Sequence, residues 1–191
     1  MMASTPQPPP FGATPWGKEW LRRVEPITAT RPNPMLPRAR SLARSESAIV
    51  DTNTIGSLRC MVSAGKKMET ATFTVPRYSA AHKRAALRIV ASHPTHGRGS
   101  GDLPDALHAE LVSGGLAPVP MDVDTACTCS SRTDPCVHVT AATYAISLIV
   151  DQSPTTALAI RGLDLAEAAA STDFPARWMH IESVDAAAFY G

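Results

Sequence analysis

Residues 127–138, Cys-Thr-Cys-Ser-Ser-Arg-Thr-Asp-Pro-Cys-Val-His, decide how the second half of this 191-residue chain folds. Three of the four cysteines and one histidine fall in this stretch, spaced as Cys-x-Cys, six residues, then Cys-x-His. Three thiolates and one imidazole form the donor set of a closed, tetrahedral structural zinc site, with cadmium and copper(I) as plausible substitutes. The intervening residues 130–135 are turn-forming and allow the two pairs to meet. The sequence therefore predicts a Zn²⁺ site whose ligands are Cys127, Cys129, Cys136 and His138.

Other interpretations of these residues explain less of the pattern. A disulfide between Cys127 and Cys129 would be strained at this spacing. A catalytic Cys–His pair would need only one thiol, and a catalytic zinc ion needs an open coordination position that four protein ligands close. Outside the cluster, Cys60 is expected to be a small buried apolar residue. His93 and His96 are expected to be exposed to solvent rather than to form a second metal site.

The residues that follow the cluster predict a buried helix. Apolar side chains recur there at helical spacing on one face, at Val139, Ala142, Ile146, Ile149 and Val150. The second pair of ligands therefore lies at the start of this helix. Because residues 127–138 are too few to close a core of their own, metal binding would supply their folding free energy, on the order of 10 kcal/mol in small zinc modules.

The region before the cluster has the pattern of a small sheet. Three β-prone runs, at 48–50, 58–62 and 71–75, are separated by turn-like segments at 53–56 and 64–67. In the third run, apolar residues alternate with threonines, which is typical of a strand with one buried face. These runs predict an antiparallel sheet of three strands.

Helices are predicted on either side of this sheet along the chain. Ser79 can cap a helix that extends to about Ala91, and a second amphipathic helix is expected at 103–112. Nine of the seventeen prolines lie in the first 37 residues, which favours extended chain with one short helix between Pro15 and Pro26. The expected fold class is therefore α+β, a small antiparallel three-stranded sheet with helices plus a zinc knuckle that leads into a buried helix.

The composition divides the chain into four regions. We expect a Pro-rich flexible lead-in at 1–15, a basic α+β region at 16–99 and a zinc-finger region at 100–163. An Ala-rich C-terminal extension follows at 164–191, and its first residues, together with Leu163, predict a helix at about 163–170.

The two halves of the chain carry opposite charge. Residues 1–100 contain 15 Lys and Arg against 5 Asp and Glu, whereas residues 101–191 contain 3 against 12. A basic half suits a polyanion, although two halves of opposite sign can also face each other. The candidates for contacts with nucleic-acid phosphates are Arg38, Arg40, Arg44, Lys66 and Lys67, with Arg22, Arg23 and Arg31 in addition. Trp16 and Trp20 are expected to pack at the edge of the core rather than to stack on bases.

Several classes of protein are excluded or disfavoured. No apolar run reaches the roughly 18–20 residues that span a bilayer, and the first ten residues lack the pattern of a signal peptide. A cytoplasmic protein without membrane contact is therefore expected. The sequence has no Gly-rich phosphate loop, no Ser/His/Asp arrangement and no paired carboxylates beyond chance, so we expect no enzyme activity.

The cluster and two segments outside it resemble SWIM zinc-finger proteins, and most closely the stand-alone actinobacterial SWIM-domain proteins. The Cys-x-Cys and Cys-x-His pairs followed by an Ala-rich helix have the spacing of that finger. Such proteins open with a Phe-Gly-x-Thr-Trp-Trp-Gly-x-x-Trp box, matched here by Phe11, Gly12, Thr14, Trp16, Gly17 and Trp20. A later Leu-Pro-Arg-Gly-Arg-x-Tyr-Ala-Arg segment is matched by Leu36, Pro37, Arg38, Arg40, Ala43 and Arg44. With Tyr144 and Arg161-Gly162, the resemblance covers roughly residues 11–163.

The departures from the family pattern leave all four ligands in place; they are at Pro15, Ala39, Leu42, Ser130-Ser131 and Val137. The resemblance implies a role in binding DNA or protein. We therefore expect a protein that depends on structural zinc and presents a surface to DNA, with the basic N-terminal half contacting phosphates. The alternative is an adaptor that binds a protein partner, such as a helicase-like ATPase, through the acidic face of the finger.

Overall fold

The strands of this chain form one antiparallel sheet in the order β1-β2-β3-β4. The structure is a computed structural model that describes residues 9–27, 33–45, 47–93 and 102–165. The strands are β1 (Ala48–Asp51), β2 (Ser57–Ser63), β3 (Met68–Thr74) and β4 (Asp124–Cys127). The helices are α1 (Pro15–Leu21), α2 (Leu36–Arg44), α3 (Ala80–Ser92), α4 (Asp105–Ser113), α5 (Val137–Gln152) and α6 (Thr155–Ile160). The α+β class is as predicted.

The sheet has four strands, and the prediction of three is wrong in this respect. The additional strand, β4, carries the first candidate metal ligand and pairs with β3 so that Cys127 lies opposite Ala71. Thr125 and Ala126 are both exposed, so β4 has no apolar alternation of its own. Because backbone pairing with β3 rather than side-chain burial specifies this strand, the sequence pattern did not indicate it.

One face of the sheet is buried. The alternation predicted for β3 is confirmed, since Ala71 and Phe73 have no exposed surface. The same face of β2 buries Leu58, Cys60 and Val62 completely. Helix α5 contacts all four strands, so this face and α5 together form the centre of the core.

Helix α5 is the element against which most of the molecule packs. Its buried residues include Tyr144, Ile146 and Val150, which confirms the predicted buried helix. Besides the sheet, it contacts α1, α2 and α6. The helix that begins at the cysteine–histidine cluster is therefore also the central support of the fold.

Two short N-terminal helices pack on α5. Helix α1 lies between Pro15 and Pro26 as predicted, and Trp16 and Trp20 are 0% and 1% exposed, which confirms that they pack in the core. Helix α2 was not predicted, because extended chain was expected as far as residue 37. Pro37 lies in the first turn of α2, where the missing N–H of proline removes no helical hydrogen bond.

The two helices predicted between the sheet and the cluster are both present. Ser79 caps α3 by accepting a hydrogen bond from the N–H of His82. Helix α4 starts at Asp105, two residues after the predicted start. Among the residues that the structure describes, no helix combines the length and the apolar character needed to cross a membrane.

Some of the sequence predictions lie outside the described residues. They include the lead-in before residue 9, Arg31, His96, and the C-terminal extension after residue 165 with most of its predicted helix. The division of the chain into four regions stays a prediction.

Candidate metal centre

The four predicted ligands meet at one point of the structure. The Sγ atoms of Cys127, Cys129 and Cys136 and a ring nitrogen of His138 all lie within 4.8 Å of one another. The Nδ1 atom of His138 lies 4.0 Å from the Sγ of Cys136. A single ion between these atoms would be within reach of all four donors.

The end of strand β4 and the start of helix α5 position three of the four candidate ligands. Cys127 is the last residue of β4 and is paired with β3, so its position is fixed by the sheet. Cys136 is the N-cap of α5, and His138 lies in the first turn of that helix. The loop between the two pairs contains a cis peptide bond before Pro135. A metal ion here would join the end of the sheet to the start of the central helix.

Each of the three sulfur atoms accepts a hydrogen bond from a backbone N–H a few residues further along the chain. The N–H of Cys129 donates to Cys127, and the N–H of Ser131 donates to Cys129. The N–H of Val139 donates to the Sγ of Cys136 at 3.5 Å. Such donors stabilise a thiolate over a thiol, and thiolates are the form that binds metal.

Two of the thiols have shifted pKa values. Burial raises the pKa of Cys127 to about 12, although the N–H of Cys129 opposes this shift. The hydrogen bond from the N–H of Ser131 lowers the pKa of Cys129. A divalent cation displaces the proton from a thiol that it binds, so metal affinity at this cluster is expected to fall as the pH is lowered.

The donor set decides which metals fit this site. Three sulfur atoms and one imidazole nitrogen favour a borderline-soft or soft ion and disfavour Ca²⁺ and Mg²⁺, which bind oxygen. Four protein donors also complete a tetrahedron and leave no position for a catalytic water molecule. The cluster therefore suits a structural ion.

Thr128, between the first two ligands, attaches the cluster to the start of β3. Its N–H donates to the carbonyl of Thr70 at 3.1 Å, and its Oγ1 accepts from the N–H of Thr70 at 2.9 Å. The same hydroxyl donates to the carboxylate of Glu69. These bonds extend the pairing of β3 and β4 by one residue and place the cluster beside the turn that joins β2 to β3.

Three of the five predicted phosphate-binding cations come together at that turn. Lys66 and Lys67 are exposed on it. The guanidinium of Arg38, which belongs to α2, donates to the carbonyl of Ala64 on the same turn at 2.6 Å. We call Arg38, Lys66 and Lys67 the basic turn.

The other two predicted cations are engaged with groups of the chain itself. Arg40 forms an ion pair with Glu25 at 2.7 Å, and its Nε donates to the hydroxyl of Tyr144 at 3.0 Å. The guanidinium of Arg44 lies over the ring of Phe11, 4.5 Å from its centroid. Both residues help to attach α2 to the core, so they are not placed in the basic turn.

The structure also describes two of the three additional arginine candidates, Arg22 and Arg23, and their surroundings differ. Arg22 is exposed at the C-cap position directly after α1. Arg23 donates to backbone carbonyls of the segment that leads to β4, and its shortest bond is to Val123 at 2.6 Å. Arg23 therefore has a structural role.

Helix α5 carries two polar residues, Ser147 and Asp151, whose role was not among the sequence predictions. Asp151 accepts hydrogen bonds from the N–H groups of Ala13 and Thr14, at 3.0 and 2.9 Å. Ser147 accepts from the N–H of Gly12 at 3.2 Å and donates to the carbonyl of Gly17 at 3.1 Å. The residues of the Phe-Gly-x-Thr box thus attach the start of α1 to the far end of α5.

A signal for these contacts was present in the sequence. Thr140, Thr143, Ser147 and Asp151 are spaced by three or four residues and form a polar stripe on an otherwise apolar helix. The hydroxyls of Thr140 and Thr143 donate to carbonyls within or directly before α5, whereas Ser147 and Asp151 bind α1.

The predictions for Cys60 and for His93 have different outcomes. Cys60 has no exposed surface, and burial raises its pKa to about 12, which confirms its apolar role. The Nε2 atom of His93 lies at hydrogen-bond distance, 2.7 Å, from a carboxylate oxygen of Glu110, and the residue is half-buried rather than exposed as expected.

Comparisons of this chain with family models, with curated proteins and with solved structures found no match. The resemblance to SWIM proteins therefore rests on the residues quoted from the sequence and stays a prediction.

Proposed function

We propose that this chain is a SWIM-type binding protein in which a structural Zn²⁺ ion joins the end of β4 to the start of α5. The observation that supports it is the meeting of three sulfur atoms and one imidazole nitrogen within 4.8 Å. The bound ion supplies the binding free energy that orders this segment, and the protein acts by presenting a surface rather than by catalysis. A cytoplasmic location fits this proposal, because cysteines there stay reduced and free to bind metal.

The surface that we assign to nucleic acid is the basic turn. Arg38 contacts the turn that carries Lys66 and Lys67, and none of the three forms an ion pair with a carboxylate in the part of the chain that the structure describes. The hydrogen bonds of Thr128 hold the metal cluster against the adjacent start of β3, so metal binding also orders the strand that carries the turn. Lysine and arginine contacts of this kind reach phosphate oxygens and carry no sequence preference.

The salt dependence of DNA binding tests this assignment. We expect Lys66→Ala/Lys67→Ala to flatten the plot of log affinity against log salt by about 1.8, since each phosphate contact on duplex DNA contributes about 0.9 to the slope. The matched control is Arg84→Ala/Arg88→Ala, which removes the same charge from exposed positions on α3. Equal slopes for the two variants would contradict a phosphate site at the basic turn.

A second candidate function is that of an adaptor for a protein partner such as a helicase-like ATPase. Exposed acidic residues near the cluster favour it, namely Asp122, Asp124 and Asp134, whereas Arg132 is the single basic residue of the loop. An adaptor of this type would not retain DNA as an isolated chain. Its complex with the partner would depend on the metal and would be lost in Cys136→Ser.

A further inference from the structure

We propose that the metal cluster is also a site of reversible oxidation, at which a hydroperoxide joins Cys129 to Cys136 in a disulfide and the ion is released. The inference rests on the proposed zinc site and adds a reaction to it. Its basis is the placement of the three sulfur atoms relative to one another and to solvent.

The sulfur atoms are already close enough for bond formation after side-chain rotation. All of them lie within 4.8 Å of one another, whereas a disulfide needs about 2.05 Å. Cys127 and Cys129 are separated by one residue, and a bond between them would be strained. Cys136 approaches from the other side of the loop and is therefore the partner in the disulfide.

The three sulfur atoms differ in access and in freedom to move. Cys136 is 5% exposed, and Cys127 is held in the ladder between β3 and β4. Cys127 and Cys129 are both half-buried, but Cys129 lies beyond the end of β4 and outside the ladder. Of the two half-buried sulfur atoms, that of Cys129 is thus the one that can turn toward a small hydroperoxide without breaking strand pairing, and Cys136 supplies the resolving sulfur.

The chemistry proceeds in two displacement steps. The Cys129 thiolate attacks one oxygen of hydrogen peroxide, the O–O bond breaks, and a sulfenic acid and a hydroxide form. The Cys136 thiolate then attacks the sulfenic sulfur, the S–S bond forms, and a second hydroxide leaves. Two protons convert the hydroxides to water, so that two thiolates are oxidised by two electrons and the peroxide is reduced.

Oxidation removes two of the four metal donors at once. Cys127 and His138 are left, and two donors do not hold an ion in a tetrahedral site. The start of α5 then loses its link to β4, while Ser147 and Asp151 at the other end of the helix are untouched. The oxidised protein is therefore expected to open at the cluster only.

The fourth cysteine provides an internal control. Cys60 lies two strands away from Cys127 in the sheet register, a distance of about 10 Å at the usual strand spacing, and it has no exposed surface. It cannot join the disulfide without loss of the sheet. Cys60→Ala should therefore react as the wild type does.

The experiment treats the full-length zinc-loaded protein and Cys60→Ala with hydrogen peroxide. Zinc release is followed with a chromogenic chelator, free thiols are counted, and disulfides are located by peptide mass mapping. We expect one zinc ion to be released for every two thiols lost, a Cys129–Cys136 bond in both proteins, and recovery of thiols and zinc binding after dithiothreitol.

Four outcomes would overturn the proposal. They are retention of zinc with unchanged thiols, zinc release with sulfinic or sulfonic acids and no disulfide, a disulfide that contains Cys60, and a bond from Cys127 instead of Cys129. A protein that holds no zinc before treatment would overturn the proposed function as well, which separates the two failures.

Discussion

Helix α5 is attached to the rest of the molecule in two different ways at its two ends. At its start, Cys136 and His138 belong to a cluster whose partners lie on β4 and in an exposed loop. At its far end, Ser147 and Asp151 bind the backbone of α1, whose Trp16 is fully buried. In our proposal the first attachment depends on a bound ion, whereas the second depends on packing and on neutral or charge-assisted hydrogen bonds.

This difference between the two ends indicates which part of the structure would depend on solution conditions. A structural zinc ion supplies on the order of 10 kcal/mol to a small module, while a single hydrogen bond contributes about 1 kcal/mol. Under the proposals made above, the start of α5 therefore responds to the supply of metal, to pH and to oxidation. The described contacts of Ser147 and Asp151 at the far end of α5 include no metal ligand and no thiol, so we expect them to persist when metal is lost or thiols are oxidised.

Loss of the metal has the largest expected effect and separates the two ends. We expect Cys136→Ser, or treatment with a zinc chelator, to remove the bound ion and to abolish hydrogen-exchange protection at residues 124–140. Protection at residues 146–152 should persist, because the contacts of Ser147 and Asp151 include no metal ligand. Elemental analysis and hydrogen-exchange mass spectrometry provide the two measurements.

The control for this prediction is Cys60→Ala, which removes a thiol from the core without touching the cluster. It should keep one zinc ion per chain and show the wild-type protection pattern. If the metal-free protein lost protection equally at both ends of α5, the two attachments would form one cooperative unit and the distinction between them would be wrong.

The candidate site could be predicted from the sequence because its chemistry is local. All four ligands lie within twelve residues, and their donor types leave few alternatives. The basic turn could be predicted only in part. A hydrogen bond from Arg38 on α2 to the β2–β3 turn brings this arginine to the turn that carries Lys66 and Lys67. Arg40 instead forms an ion pair with Glu25, a contact that no local sequence pattern predicts.

The fold could be predicted where side-chain periodicity carries the information. Strand β3 has a buried face that repeats every second residue. Helix α5 carries the predicted apolar residues and is buried on every side over residues 139–147. Strand β4 has no such face, because its ladder with β3 specifies it, and α2 was obscured by prolines that suit a first helical turn. Long-range pairing and capping context therefore account for the differences.

Gly17→Ala tests the packed end of α5. A Cβ atom at this position would clash with the carboxylate of Asp151, so either this side chain would lose its hydrogen bonds to Ala13 and Thr14 or α1 would move away from α5. We expect a loss of about 2 kcal/mol in the free energy of unfolding, as is typical of overpacked sites, although Gly→Ala in a free helix stabilises by about 1 kcal/mol. Urea unfolding measures the change.

Two comparisons decide the meaning of the Gly17→Ala result. Lys18→Ala changes the next, exposed residue of α1 and should alter stability by less than about 0.5 kcal/mol. The zinc content of Gly17→Ala should equal that of the wild type, since the altered contact is remote from the ligands. A stabilising effect would show that α1 is not held closely against Asp151.

The smallest expected effect concerns a third attachment, midway along α5, where Tyr144 and Arg40 both bind Glu25. Burial raises the pKa of Glu25, but the hydrogen bonds from Arg40 and Tyr144 outweigh it and hold the pKa below 4.5. Because the folded-state pKa is depressed, the stabilisation is present above pH 4.5 and is lost as the pH falls through the folded-state value. Arg40→Gln should therefore cost about 1 kcal/mol or less at neutral pH, and its difference from the wild type should shrink in acid.

The measurement compares the unfolding free energies of Arg40→Gln and the wild type at each pH. Any metal that is bound should leave both proteins as their thiols become protonated in acid, so this effect cancels in the difference. The matched control is Arg38→Gln, whose guanidinium binds a carbonyl rather than a carboxylate, so its effect on stability should not depend on pH in this range. A gap between Arg40→Gln and the wild type that stays constant from pH 7 to pH 3 would remove Glu25 as the cause. Attachment of α2 to α5 would then rest on packing and on contacts that do not involve Glu25.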